Sequence, residues 1–176
     1  MRRTLVLAGL VTALLAGAAV AYAAAGDDDY GGYPTSSNAT TTEAARSTEA
    51  KTSTYSYKAT MNAKGEVPKP NAPANAAGNF NATVTQKSGK ATIRWTLSFR
   101  NLSGKAVGAH IHKGAAGVAG PVVVPLCGPC RNGQNKRQSI DNDLAEALEK
   151  GGYYVNVHTA KNAGGEIRGQ LKLVGK

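Results

Sequence analysis

From residue 53 to the C-terminus the chain alternates apolar and polar positions with a period of two, the pattern of strands that bury one face. Tyr55, Tyr57, Ala59 and Met61 form the apolar phase of a first strand, and Phe80, Ala82 and Val84 that of a second. The third is the most regular, with Ile93, Trp95, Leu97 and Phe99 set against Thr92, Arg94, Thr96, Ser98 and Arg100. Ser88-Gly89 between the second and third suits a two-residue hairpin. Further strands fit 106–112, 120–126, 153–158 and 166–174. Only 141–150 departs from the pattern: Leu144, Ala145 and Leu148 recur at helical spacing, and Gly151 stands where a helix stops. Alternating strands joined by short turns predict an antiparallel β-sandwich or barrel with one short helix. Its core is expected to include Tyr57, Phe80, Val84, Ile93, Trp95, Leu97, Phe99, Ile111, Val123, Leu144, Leu148, Val155, Val157, Ile167 and Leu171.

The first half-hundred residues read differently. Arg2 and Arg3 precede an apolar run over 5–20, and Ala21-Tyr22-Ala23 or Ala23-Ala24-Ala25 supplies the small residues of a cleavage site, so 1–25 is expected to be a secretory signal. The run is shorter than the roughly 20 residues of a membrane span, although an uncleaved anchor is the competing reading. No cysteine follows it to carry a lipid, and no later stretch could cross a bilayer. Residues 26–52 are Ala, Thr, Ser, Gly and charge with almost no large aliphatic, too little apolar surface to offset ordering entropy, so they are expected to form a flexible linker. The folded domain is then 53–176.

Charge narrows the partners. The net charge is +10, and removal of Arg2 and Arg3 with the leader leaves +8 (10 − 2). A basic exported domain is drawn to anionic envelope polymers or glycans. Aromatic residues do not interleave with the lysines as a base-stacking platform requires, which argues against nucleic acid.

All three histidines lie in two strand-like stretches, His110 and His112 in one and His158 in the other. Side chains two apart on a strand share a face, so His110 and His112 point the same way, as do Tyr154, Asn156 and His158. If the strands are neighbours, three imidazoles meet on one surface and suit one copper or zinc ion. The alternative is a hydrogen-bonded network with Asn156, Glu166, Arg168 and Gln170 as partners.

Cys127-Gly128-Pro129-Cys130 repeats the letters of a thioredoxin centre, but no helical pattern follows to activate the first thiol. In an exported chain with two cysteines a local disulfide between Cys127 and Cys130 is expected, with free thiols or metal ligation as the alternatives. Glu66 has no carboxylate at a fixed spacing, and Glu166 stands two before Arg168 on one strand face, which suits an ion pair. No serine sits in a nucleophile elbow and no glycine-rich phosphate loop opens a helix.

Four segments resemble the CHRD domain, the module first described in the developmental inhibitor chordin: GEVP at 65–68, GAHIHKGAAGVAGPVVVPLC at 108–127, GGYYVNVHT at 151–159 and GGEIRGQL at 164–171. They place Glu66, Asn156, Glu166 and Arg168 among the motif residues. One departure is local, since Lys69 stands where the family usually has a second proline. The resemblance implies an immunoglobulin-like barrel with a distant likeness to copper-zinc superoxide dismutases, and by that likeness His110, His112 and His158 correspond to three copper positions. No fourth histidine is present to bridge two metals, which excludes a complete dinuclear site. Two functions follow as expectations. The first is a secreted or envelope-associated binding module rather than an enzyme; the second is a mononuclear copper or zinc protein.

Overall fold

The structure is a computed structural model and describes residues 51–176. The expected leader and all but the last two residues of the expected linker lie outside the described residues. The described chain forms nine strands and one α-helix: β1 (Thr52–Asn62), β2 (Ala77–Lys87), β3 (Lys90–Arg100), β4 (Ala106–Lys113), β5 (Val122–Cys127), β6 (Gln134–Ile140), α1 (Asn142–Glu149), β7 (Tyr153–Thr159), β8 (Ile167–Gln170) and β9 (Lys172–Gly175).

All the pairings are antiparallel, in the order β5-β4-β7-β8-β1-β2-β3-β6, with β9 also on β1. The two edge strands of this order approach each other, and Gln138 Nε2 of β6 donates to the Pro125 carbonyl of β5 at 2.9 Å. Pro125 has no N–H to offer a ladder, so a side-chain bond stands where strand pairing would otherwise close the barrel. The fold is thus nearly all-β and nearly closed, with a single short helix among the described residues.

Local chemistry explains the elements. Lys87 pairs with Lys90 across Ser88 and Gly89, both with positive φ (50° and 72°), the two-residue turn whose twist matches that of the strands it joins. Helix α1 buries Ala145 and Leu148, and Gln86 Nε2 on β2 donates to Asn142 Oδ1 at its start. Gly151 follows it with φ 80°. Inside the barrel Phe80 and Trp95 stack with ring centroids 6.1 Å apart, flanked by Tyr57, Met61, Ile93, Leu97, Ile111 and Val155, all buried.

Four expectations are corrected. Val123 is only partly buried, and Val124 and Leu126 face the core instead, because the β4–β5 pairing shifts register at Ala109/His110 and again at Ile111/His112. Phe99 and Leu144 lie at the margin of the core, half-buried. The polar segment between the cysteine pair and the helix, to which the alternation assigns no strand, contains β6, which pairs with β3 over seven residues while burying no side chain fully. Its cohesion comes from the backbone ladder, which leaves no apolar alternation to read. The strand expected over 166–174 is divided at Leu171 into β8 and β9.

Candidate metal centre

Strands β4 and β7 are neighbours, with His110 opposite Asn156 and His112 opposite Tyr154. Their inward residues, Ile111, Val155 and Val157, fix the phase by entering the core, which turns His110, His112 and His158 together onto the other face. That face is covered by loops, so His112 is buried and His110 and His158 are half-buried. One ring nitrogen from each lies within 4.8 Å of the others.

The hydrogen bonds assign the tautomers. His112 Nδ1 lies 2.9 Å from the Gly120 carbonyl and His158 Nδ1 lies 2.9 Å from the Ala163 carbonyl. A carbonyl only accepts, so both Nδ1 atoms carry a proton, and in the neutral ring each Nε2 presents a lone pair. His110 Nδ1 approaches His158 Nε2 at 3.0 Å and must be the donor of that bond. His112 Nε2 is buried and has no partner. A buried acceptor left bare costs about 1 to 3 kcal/mol unless something fills the position.

Metal ligands of imidazole type need this preparation, with one nitrogen bare and the other held by a carbonyl. The donor set of His112 Nε2, His158 Nε2 and His110 Nδ1 therefore fits a single transition-metal ion, with the His110 proton moved to Nε2. Two nitrogens on one ion at about 2.05 Å can be no more than about 4.1 Å apart. To hold one ion the 4.8 Å spread would have to close to that distance, whereas the His110–His158 pair is already at ligand–ligand distance.

Electrostatics favours the neutral form of His110 and of His158. Burial holds both His110 and His158 below the ordinary imidazole value; His158 and His112 lower His110 further. For His158 the Ala163 carbonyl pulls the other way and His112 adds to the lowering.

The polar motif residues support this face rather than the imidazoles directly. Arg168 Nη2 donates to the carbonyls of Ala115 and Val118 at 2.7 and 2.8 Å, and Gln170 Nε2 donates to Gly114 O at 3.2 Å. These bonds latch the 114–121 loop over the site, where Gly120 N donates to Tyr154 Oη and Gly120 O accepts from His112. Gly120 must be glycine, because a Cβ there would fall 1.7 Å from the Lys113 carbonyl oxygen. Tyr154 stacks on His112 at 4.9 Å on one side and lies under the Arg168 guanidinium, 3.3 Å from its ring centre. Glu66 accepts from Asn156 Nδ2 at 2.8 Å and from Val67 N at 3.0 Å; burial raises its pKa against the opposing pull of Val67 N–H and Arg168.

The expected Glu166–Arg168 ion pair does not form. Glu166 instead accepts from Ser103 N, Ser103 Oγ and Thr159 Oγ1 at 2.5 Å each and from Asn162 Nδ2 at 2.9 Å. Burial pushes its carboxyl up, but these donors outweigh burial and hold it below the usual value. Nor do Asn156, Glu166, Arg168 or Gln170 bond to any of the three rings; the partners are the Gly120 and Ala163 carbonyls, which no side-chain pattern announces.

Cys127 and Cys130 are joined by a disulfide of 2.08 Å at the end of β5, and Cys130 N donates to Ala106 O at 3.0 Å. The next element is β6, not a helix.

A CHRD domain profile matches residues 57–171, which is 115 of the 176 residues and takes in both histidine strands and all four motif segments. The chain belongs to the CHRD family. The match begins inside β1 and ends at Leu171, between β8 and β9, so this CHRD domain is the barrel itself. Neither the curated proteins nor the solved structures include a match to the chain.

Proposed function

We propose that this chain is an exported CHRD protein whose barrel binds one transition-metal ion through His110, His112 and His158. The observation that carries the reading is the bare, buried Nε2 of His112 beside a His110–His158 pair already 3.0 Å apart. Three neutral imidazoles with no thiolate and no bridging fourth histidine favour copper, with an open or water-filled position, over a closed four-ligand zinc site. Export is supported by the basic, apolar, small-residue leader and by the disulfide, which persists in oxidising compartments.

A second reading, a non-enzymatic module that engages an extracellular or envelope component, is compatible with the first and draws support from the basic surface. The deciding experiment is titration of metal-free, tag-free protein with copper and zinc at neutral pH, read by calorimetry and by nitrogen hyperfine structure in the copper resonance spectrum. One ion per chain with submicromolar affinity, lost in His112→Ala, is the expected result. Binding weaker than micromolar for both metals, or an unchanged His112→Ala, leaves the histidines as a structural network and the binding module as the surviving reading.

A further inference from the structure

On the barrel surface a cleft of about 460 Å³ runs between β1, β8, β9 and the 114–121 loop, within the roughly 300 to 1,000 Å³ of small-ligand sites. Four cationic residues line it, Lys58, Lys64, Arg168 and Lys172, and no carboxylate does. Lys58 and Lys172 are direct cross-strand partners on β1 and β9. Like charges opposed in this way destabilise a sheet. Neither is relieved by an ion pair, since Lys176–Glu149 is the salt bridge among the described residues.

Arg168 gives a second, independent observation. It is 2% exposed, three of its contacts are made by Nη2, and Nη1 is buried without any partner. Glu66 is near enough to feel the charge of this guanidinium but does not line the cleft, and among the described residues no carboxylate bonds to it, so the free Nη1 leaves a permanently charged group as an anion partner. Thr60, Asn62 and Gln170 add hydroxyl and amide groups to the same walls, while no aromatic ring is present for a nucleobase to stack on.

We propose that this cleft is a binding site for an acidic glycan segment, with its carboxylate or sulfate groups at Lys58, Lys172 and Arg168 and its hydroxyls at Thr60, Asn62 and Gln170. None of the three histidines lines the cleft, although Arg168, Gln170 and the 114–121 loop border both places, and the proposal does not require that the histidines bind metal.

The test is calorimetric titration of the purified chain with polygalacturonate oligomers and with a sulfated oligosaccharide of equal charge, which separates the two acid groups. Neutral glucan and polyphosphate oligomers of matched length serve as comparators. The variants are Lys58→Gln with Lys172→Gln, and a charge-matched control, Lys90→Gln with Lys136→Gln, both on exposed positions outside the cleft. Thermal melting checks that each remains folded. The expected result is binding of at least one acidic glycan, weakened at least tenfold by the cleft pair and less than twofold by the control, with no binding of glucan. Equal weakening by both pairs would show diffuse attraction to a basic surface and overturn the site. Tighter binding of polyphosphate than of either glycan would overturn the glycan assignment.

Discussion

His110 Nδ1 and His158 Nε2 lie 3.0 Å apart although 48 residues separate them in the chain, and the proton between them belongs to His110 because the Ala163 carbonyl fixes the other ring. A fixed lone pair facing a movable proton makes this pair the point at which acid would compete with the proposed metal ion. Both rings are held below the usual imidazole value of 6.5, chiefly by burial. As pH falls through 6.5 the unfolded chain therefore takes up protons before the folded one does. Stability of the metal-free protein is expected to be full above about pH 6.5, to decline below it, and to stop declining from this source once the folded-state values are passed. Urea midpoints at pH 7.5 and 5.5 measure the slope, and His110→Gln with His158→Gln is expected to flatten it. An unchanged slope in that variant would assign the acid sensitivity elsewhere.

The thioredoxin-like letters of the cysteine pair are expected to carry no oxidoreductase activity. Activation of such a thiol comes from a helix N-terminus, and Cys127 closes a strand that leads through Gly128-Pro129-Cys130 into β6. Intact-mass measurement after alkylation is expected to show no free thiol. Insulin reduction by the purified chain, lost in Cys127→Ser, is the result that would contradict this.

Trp95 is 1% exposed and stacked on Phe80 at the centre of the barrel. Trp95→Ala removes the largest buried side chain from a closed wall that cannot collapse onto the space. The expected loss is about 3 to 5 kcal/mol, read by chemical denaturation. A loss below about 1 kcal/mol would be inconsistent with a packed interior at this position.

Much of this was legible because period two survives wherever one strand face enters the core. The phase of Ile111, Val155 and Val157 turned the histidines of each strand away from the core, their meeting on one surface came from the β4–β7 pairing, and the helix at 142–149 followed from Leu144, Ala145, Leu148 and Gly151. The failures share a cause, which is that backbone interactions leave little trace in side-chain type. Val123 and Val124 are the same residue, and only the register shifts on β4 decide which one is buried. β6 is held by its ladder to β3, and the carbonyls of Gly120 and Ala163 that orient two imidazoles belong to residues without informative side chains. Tyr154 shared the histidine phase, yet its place between His112 and Arg168 required the β4-β7-β8 order.

Glu166 offers the sharpest test of the polar architecture, because two residues of spacing suggested an ion pair and the fold gives the carboxylate a different task. It is fully buried and ties the chain at Ser103 to Thr159 and Asn162, which in turn holds Asn71 through N–H and C=O contacts of 2.9 and 3.2 Å. Ser103 N–H and the Ser103 and Thr159 hydroxyls lose this acceptor if the carboxylate is removed, while Asn162 Nδ2 keeps only Asn71 O and Ser103 Oγ, and burial prevents water from replacing it at no cost. Glu166→Ala is expected to destabilise the protein by about 3 kcal/mol or more, on the scale of breaking a buried charged hydrogen-bond network. Glu166→Gln keeps the volume but turns an amide N–H₂ toward hydroxyl and amide donors, so about 1 to 3 kcal/mol is still lost. The pH signature separates this from simple cavity formation. Because its donors hold the folded carboxyl below 4.5 despite burial, the stability it contributes is present above that value and declines as pH falls below it. Denaturation midpoints from pH 6 to 3 are therefore expected to fall less steeply in Glu166→Gln than in the parent chain, and an equal slope in both would show that the cluster does not depend on the charge.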